Sequence, residues 1–395
     1  MRRRFGPLVA GLLLTACAEP ELEESDDFGY FARGGLELTE VVADQGVSVP
    51  LVESGEVIPP EARLADLISG RTTFLRAAVE VPSDWVPRSL ILRVQLSEPN
   101  GESQAALRDV WVEGSVDLLD PAGDLLVGIP AELIGPATGW SLGVYEADEA
   151  SATEFPASDP APRTQARALA PRRGAHVLDV QLVPIDHQFD GPLDCRGLPD
   201  LGPERLEQIR RRLAKLHPVQ EVRLSVRDPM PWTETASSLE AILDALAELR
   251  AMDEAPPARH YAGVIDPCDW GDADGFAGLG YVPSGPTEDQ AGRRVSITDF
   301  SDQPGGDPIR VLVHELGHNL GRLHAPCGVS GGLDPDYPRT DGRTGSQGID
   351  VIDFETAVVL HQPDEADYMS YCQPAWVSAY GWAEVLPVIE TLSGW

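Results

Sequence analysis

The stretch HELGHNLGRLH, running from His314 to His324, decides how the rest of the chain is read. On an α-helix, residues four apart share a face, so His314 and His318 can aim two ring nitrogens at one metal ion, with Glu315 projecting beside them. Gly321 can take the left-handed backbone that ends a helix, which lets the chain turn and bring His324 back as a third ligand. Three protein ligands leave a fourth position open for water, the arrangement of a catalytic rather than a structural zinc site. A bare HExxH arises by chance in roughly one chain of this size in a hundred, and the glycine and third histidine lower that by a further factor of about several hundred. Three of the chain's eight histidines fall inside the motif. The others, His176, His187, His217, His260 and His361, lack ligand spacing to any partner and read as structural or exposed.

The pattern HExxHxxGxxH resembles the metzincin clan of zinc endopeptidases, whose second hallmark is a methionine in a tight turn beneath the metal. Met369, 45 residues beyond His324 in the string DYMSYC from Asp367 to Cys372, is similar to that turn. The resemblance implies Zn2+ as cofactor and a protein or peptide as substrate. It also implies that Glu315 takes a proton from a zinc-bound water attacking a peptide carbonyl, then delivers it to the leaving amine. Tyr371 falls where astacins and serralysins carry a tyrosine that stabilises the transition state, which implies a second catalytic group; a plain core or cleft tyrosine is the competing reading. An edge strand that binds substrate backbone is implied as well, and Gly278, Leu279, Gly280, Tyr281 and Val282 are its candidates.

The metzincin fold brings the segments after the third histidine and after the methionine together, so the resemblance implies a disulfide between Cys327 and Cys372. That leaves Cys195 to pair with Cys268. Cys195, in DCRGLPD from Asp194 to Asp200, also faintly echoes the cysteine switch of matrixin propeptides, although Arg196 separates the cysteine from the glycine.

The start of the chain bears on where this chemistry happens. Arg2, Arg3 and Arg4 precede an apolar run from Phe5 to Ala16 that is too short to cross a bilayer, so residues 1–16 read as a signal peptide. The run ends in Leu14-Thr15-Ala16-Cys17, which resembles the bacterial lipobox; that resemblance implies cleavage before Cys17, a lipid on its thiol, and anchoring to a bacterial membrane. Ala18 follows in place of the aspartate associated with inner-membrane retention, which implies the outer membrane. A formal net charge of −34 argues against nucleic acid or anionic lipid surfaces as partners, and the chain is expected to work as a monomer.

Residues 17–35 are acidic and read as a solvated tether. From 36 to 146 short apolar or alternating runs are split by Pro, Gly and Asn turns: Thr73 to Val81, Leu90 to Leu96, Val110 to Val116 and Leu125 to Ile129. The pattern predicts an all-β sandwich of the immunoglobulin-like kind, with no chemistry of its own. Residues 147–173, rich in Ala, Pro, Ser and Arg, read as a linker. Beyond it, 174–395 alternates strand and helix signals and is expected to hold the metal site in a mixed sheet backed by helices, giving an α+β, mixed class for the chain as a whole. Strands are predicted at His176 to Ile185, Glu221 to Val226, His260 to Ile265, Gly278 to Val282 and Arg294 to Thr298. Helices are predicted from Pro203, capped by Asp200, along the Leu239 to Leu249 stripe, and from Asp307-Pro308 through the motif. Trp376 to Tyr380 is expected to pack a final helix.

Asp266, Asp269, Asp272 and Asp274 form an acidic loop with the chemistry for Ca2+, though its spacing misses the EF-hand and a solvated turn accounts for it as well. Gly331 to Pro338 either walls the cleft after the third ligand or is surface loop. Two readings stand beside the peptidase: a surface adhesin with an inactive peptidase-like domain, and a zinc hydrolase acting on an amide other than a protein's. The substrate is not written in these residues.

Overall fold

The computed structural model describes residues 21–23, 28–98, 101–119, 125–189, 195–236, 239–267, 277–301, 306–354 and 357–395. The leader, Cys17, Cys268 and the aspartates 269, 272 and 274 lie outside the described residues, so neither the lipid anchor, the Cys195 to Cys268 pairing nor the calcium loop is addressed by them. No helix among the described residues is long and apolar enough to cross a membrane.

The chain has a mixed α+β fold. The described residues from Glu21 to Ala168 build two five-stranded antiparallel sheets. One runs Glu56–Val57, Ser48–Glu53, Glu37–Asp44, Thr73–Glu80, Leu126–Ile129; the other runs Glu21–Glu23, Ser103–Val112, Arg88–Ser97, Gly139–Glu146, Arg167–Ala168. Along Arg88–Ser97 the apolar residues recur every second position, and Leu90, Leu92, Val94 and Leu96 all turn inward. They meet Val41, Val49 and Leu51 of the facing sheet and Trp140 in one apolar core.

The Ala/Pro-rich segment expected as a linker is held along its length. Asp148 accepts from Ser151 N and caps the short helix α1 (Glu149–Glu154). Arg167–Ala168 pairs with Trp140 and Gly139, and Leu169 is wholly buried. Composition alone marks a spacer, but buried Ala152 and Leu169 and backbone bonds from Thr164 N to Leu142 O and Arg172 N to Leu67 O dock it.

The second half is organised around Val177–Phe189, the long central strand of a seven-stranded mixed sheet. Glu221–Val226 and Met230–Trp232 run parallel on one side, His260–Ile265 and then Val295–Asp299 on the other, with Gly278–Gly280 antiparallel at the edge. Alternation assigns the two faces. Val183, Ile185, Tyr261, Ile265 and Ile297 pack under α3 (Leu239–Met252), whereas Leu178, Val180, Leu182, Ala262 and Val264 join the core of α2 (Pro203–Leu216), α4 (Pro308–Asn319) and α5 (Ala379–Ser393).

Two local expectations need correcting. Asp200 does not cap α2: Gly202 occupies the cap position with no side-chain bond, and the Asp200 carboxylate, two residues too early, accepts from Gly202 N instead. The edge strand ends at Gly280 rather than Val282; Tyr281 N still reaches Val295 O, but Pro283 has no amide to continue a ladder.

One apolar core runs from the first sheets into the second half. The turn Asp44 to Ser48 is buried throughout. Gln45 is fixed by Ile68 N and O, and Arg71, completely buried, donates through Nη1 and Nη2 to Ala214 O, His217 O and Val219 O at the end of α2 while its Nε holds Gln45 O.

His217 and His260 are fully buried, and burial first of all pushes their pKa values down to about 4 and about 3; for His260 the neighbouring Arg294 and Arg250 add to it. Both rings are therefore neutral in the folded protein, while the unfolded chain protonates them below about pH 6.5. Stability contributed by neutrality is intact above that pH and is lost as pH falls toward the folded values. Among the described residues His260 has no hydrogen-bond partner on either ring nitrogen, so His260→Leu removes a titration without removing a bond seen there. The variant should flatten the stability curve between about pH 6.5 and 5 by up to about 1.4 kcal/mol per pH unit relative to wild type, read from urea midpoints. Parallel curves for the two proteins would contradict it.

Candidate metal centre

The site is built on α4. Pro308 occupies the first turn, where no amide is needed, and Asp307 accepts from Arg310 N at 3.0 Å. From Leu312 to Asn319 the helix is buried on all sides, and His314 and His318, four residues apart, share one of them. At the other end Gly321 has φ +88°, and Arg322 N reaches back to Gly317 O. This left-handed step ends the helix and returns the chain to the site.

His314, His318 and His324 converge, with one ligand atom from each lying within 4.8 Å of the others. Each Nδ1 is engaged by a backbone carbonyl: His314 with Tyr368 O at 2.9 Å, His318 with Arg322 O at 2.7 Å, His324 with Gly331 O at 2.8 Å. A carbonyl only accepts, so each Nδ1 carries a proton, and a ring with that one proton keeps its lone pair on Nε2. Burial, helped by the neighbouring rings, pushes His314 to about 3 and His318 to about 4, which keeps both neutral.

The Nε2 atoms of His318 and His324 stand 3.1 Å apart, and the buried Nε2 of His314 has no hydrogen-bond partner among the described residues. A cation placed between these nitrogens would take a lone pair from each. For tetrahedral zinc with imidazole ligands the nitrogens sit about 3.3 Å apart, so this donor set fits zinc. The three carbonyls that set the tautomers could not be found by sequence reasoning, because a backbone acceptor leaves no signature in residue type.

Glu315 is buried beside the ligands, and burial pushes its carboxyl up to about 8. Its carboxylate lies against the edge strand: a Cβ on Gly278 would stand 2.7 Å from Oε1, and one on Gly280 would stand 3.2 Å from Oε2 and 2.8 Å from the Glu315 carbonyl. Only glycine admits this approach. The glycines of that strand are thus explained by the proximity of Glu315.

Met369 is fully buried beneath the helix. Its amide is held by Asp367 Oδ1 at 2.8 Å and its carbonyl by Ala325 N at 3.0 Å. A Cβ at Gly317 would stand 2.3 Å from Met369 Sδ. An Ala in mid-helix normally stabilises by up to about 1 kcal/mol over Gly. Here Gly317→Ala is expected to do the reverse, costing about 1–3 kcal/mol by overpacking, and thermal unfolding would detect it as a lowered midpoint. A raised midpoint would mean that the helix and the methionine are not in contact.

Tyr371 flanks the site, half exposed, with its ring 5.6 Å from His314 and 5.3 Å from His324. Cys327 and Cys372 form a disulfide, and Tyr371 N also reaches Cys327 O at 3.0 Å. The third-ligand segment and the methionine turn are therefore joined covalently beside Tyr371.

Residues 331–334 cradle His324: its amide bonds Gly332 O, its carbonyl takes Asp334 N, both at 2.9 Å. Asp334 reaches on to buried Arg322 and to Tyr380 of α5. This segment supports the third ligand directly. His176, His187, His217 and His260 are buried away from the metal group, and His361 stacks on Trp376 at 3.6 Å. Cys195 opens a short strand paired with Phe189. Among known proteins, no family model matches the chain, and no curated sequence matches it.

Proposed function

We propose that this chain is a zinc-dependent endopeptidase of the metzincin type, acting on protein or peptide substrates, exported and held at a bacterial outer membrane through Cys17. The observation that carries the reading is the convergence of three imidazoles, each with Nδ1 tied to a carbonyl, with the neighbouring Glu315 carboxyl lying against a glycine-lined edge strand. The buried methionine turn under Gly317 adds support from the packing.

The chemistry that zinc supplies when held by His314, His318 and His324 is acidification of water and polarisation of the substrate carbonyl. With the charge of a zinc ion beside it to offset the burial that raises its pKa, Glu315 accepts the proton of the attacking water on its carboxylate and returns it to the departing amine nitrogen. The edge strand Gly278–Gly280 offers backbone groups to an extended substrate, which positions the scissile bond beside Glu315. Tyr371 donates from its hydroxyl to the oxygen that gains charge as the carbonyl is attacked.

Metal removal tests the reading. Dialysis against a chelator should abolish cleavage of an unfolded protein, and one equivalent of zinc should restore it. Cleavage that persists without metal, or a zinc-loaded protein that spares every unfolded protein while hydrolysing another amide, would overturn it.

A further inference from the structure

The sandwich at the start of the chain reaches the metal centre through three hydrogen bonds in series. Gly46 O accepts from Trp376 Nε1 at 2.7 Å, Trp376 O accepts from Tyr368 N at 2.8 Å, and Tyr368 O accepts from His314 Nδ1 at 2.9 Å. All four residues are buried or sit in the buried turn. We propose that the turn Asp44 to Ser48 is a permanent structural part of the metal centre, with Trp376 as a positioning residue that sets the first ligand through Tyr368. The inference rests on the zinc reading above and assigns the sandwich a role within it.

The turn is built for that contact. Gly46 has φ +119°, and a Cβ there would meet the Trp382 ring at 3.0 Å and Lys215 O at 3.1 Å, so a side chain would lift the turn off its seat. From the other side, a Cβ on Gly348 would stand 2.1 Å from Gly46 O and 2.6 Å from Trp376 Nε1. Two glycines thus clear the space in which one carbonyl meets one indole. Gln45 braces the turn through both atoms of its amide on Ile68, and Ser48 N bonds Gln347 O at 2.9 Å. Trp376 is also clamped by His361, stacked 3.6 Å away and 6° from parallel. A ligand imidazole is held by what its second nitrogen bonds, and the stiffness of that carbonyl depends on the next bond along.

A sandwich removed on activation would behave otherwise. Its departure would strip Trp376 of its acceptor, uncover Trp382, whose Nε1 donates to Asp66 O at 3.0 Å, and leave the end of α2 without Arg71. The interface is a core, and its two sides fold as one.

The test compares two tryptophans of the same interface. Trp376→Phe keeps an aromatic ring and deletes the donor in the series, and should weaken zinc binding by roughly 3- to 10-fold, short of the ~10–100-fold seen when a direct partner of a ligand is removed. Trp382→Phe also deletes one interface hydrogen bond but lies outside the series, and should keep the zinc Kd within about twofold of wild type while losing similar stability. Zinc Kd is read by competition with a chromophoric chelator on the full chain, alongside urea midpoints. Unchanged binding in Trp376→Phe, or equal weakening in both variants, overturns the positioning role. A wild type that takes up no zinc overturns the metal reading and the inference together. As a second arm that needs no core substitution, a protease site inserted at the exposed Asp159 allows the folded holoprotein to be nicked. The pieces should co-elute with zinc Kd unchanged; a separated second half that binds zinc as tightly as the whole overturns the proposal.

Discussion

Glu315→Ala is expected to keep one zinc per chain and to lower kcat/KM for peptide cleavage by about 10²–10⁴-fold. The metal should stay because the converging donors are His314, His318 and His324, and the carboxylate is not among them. Activity should fall because the proposed mechanism relies on the Glu315 carboxylate to take the proton. Glu315→Gln is the sharper variant: it preserves the shape that fits against Gly278 and Gly280 and removes only the basicity. Both should behave alike in cleavage. Undiminished cleavage of an unfolded protein by either, at full zinc, would sink the assignment of Glu315 as general base.

The largest effect on stability is expected at Arg71. Its guanidinium is completely buried, held down to about 9 by that burial, and spends its donors on four carbonyls: Gln45, Ala214, His217 and Val219. It also lies 5.2 Å from the Trp382 ring centre. Arg71→Met fits the space but takes the guanidinium from Gln45 O, Ala214 O and Val219 O in a dry interior, while His217 O keeps Val219 N, and should cost about 3–5 kcal/mol. Arg71→Lys should lose nearly as much, because one ammonium cannot reach a fork of carbonyls on two elements. Urea unfolding followed by tryptophan fluorescence checks this. Because the two halves share a core, wild type should unfold in one transition. A loss below about 1 kcal/mol, or a variant in which only the first sheets melt early, would show that Arg71 is not the joint that the geometry makes it.

How much of this was legible depends on where each signal is stored. Residues that act through their own side chains at fixed spacing were readable: His314, His318 and His324, the Asp307-Pro308 helix start, and the stripe Ile209, Leu213, Leu216 that α2 buries. The pairing of Cys327 with Cys372 followed from the resemblance that placed their segments together. Strands such as Glu37–Asp44 and Ser48–Glu53 were harder to delimit, because Thr39, Glu40, Asp44 and Ser48 interrupt the apolar rhythm while the backbone still pairs. Arg71 resembles any surface arginine in the sequence; its burial depends on carbonyls more than a hundred residues away. The same holds for the carbonyls of Tyr368, Arg322 and Gly331 that orient the ligands. Whatever works through backbone acceptors and long-range contact is set by the fold, not by residue type, and appears only once the chain is closed.

The central claim is that three imidazoles of one chain hold zinc with a position left open for chemistry. X-ray absorption at the zinc edge of the purified full chain tests it most directly. The account predicts one zinc per chain bound by three imidazole nitrogens and light oxygen atoms, with no sulfur, and loss of the signal in His318→Ala. A zinc bound through sulfur, a closed shell of four protein ligands, or no zinc at all would contradict it.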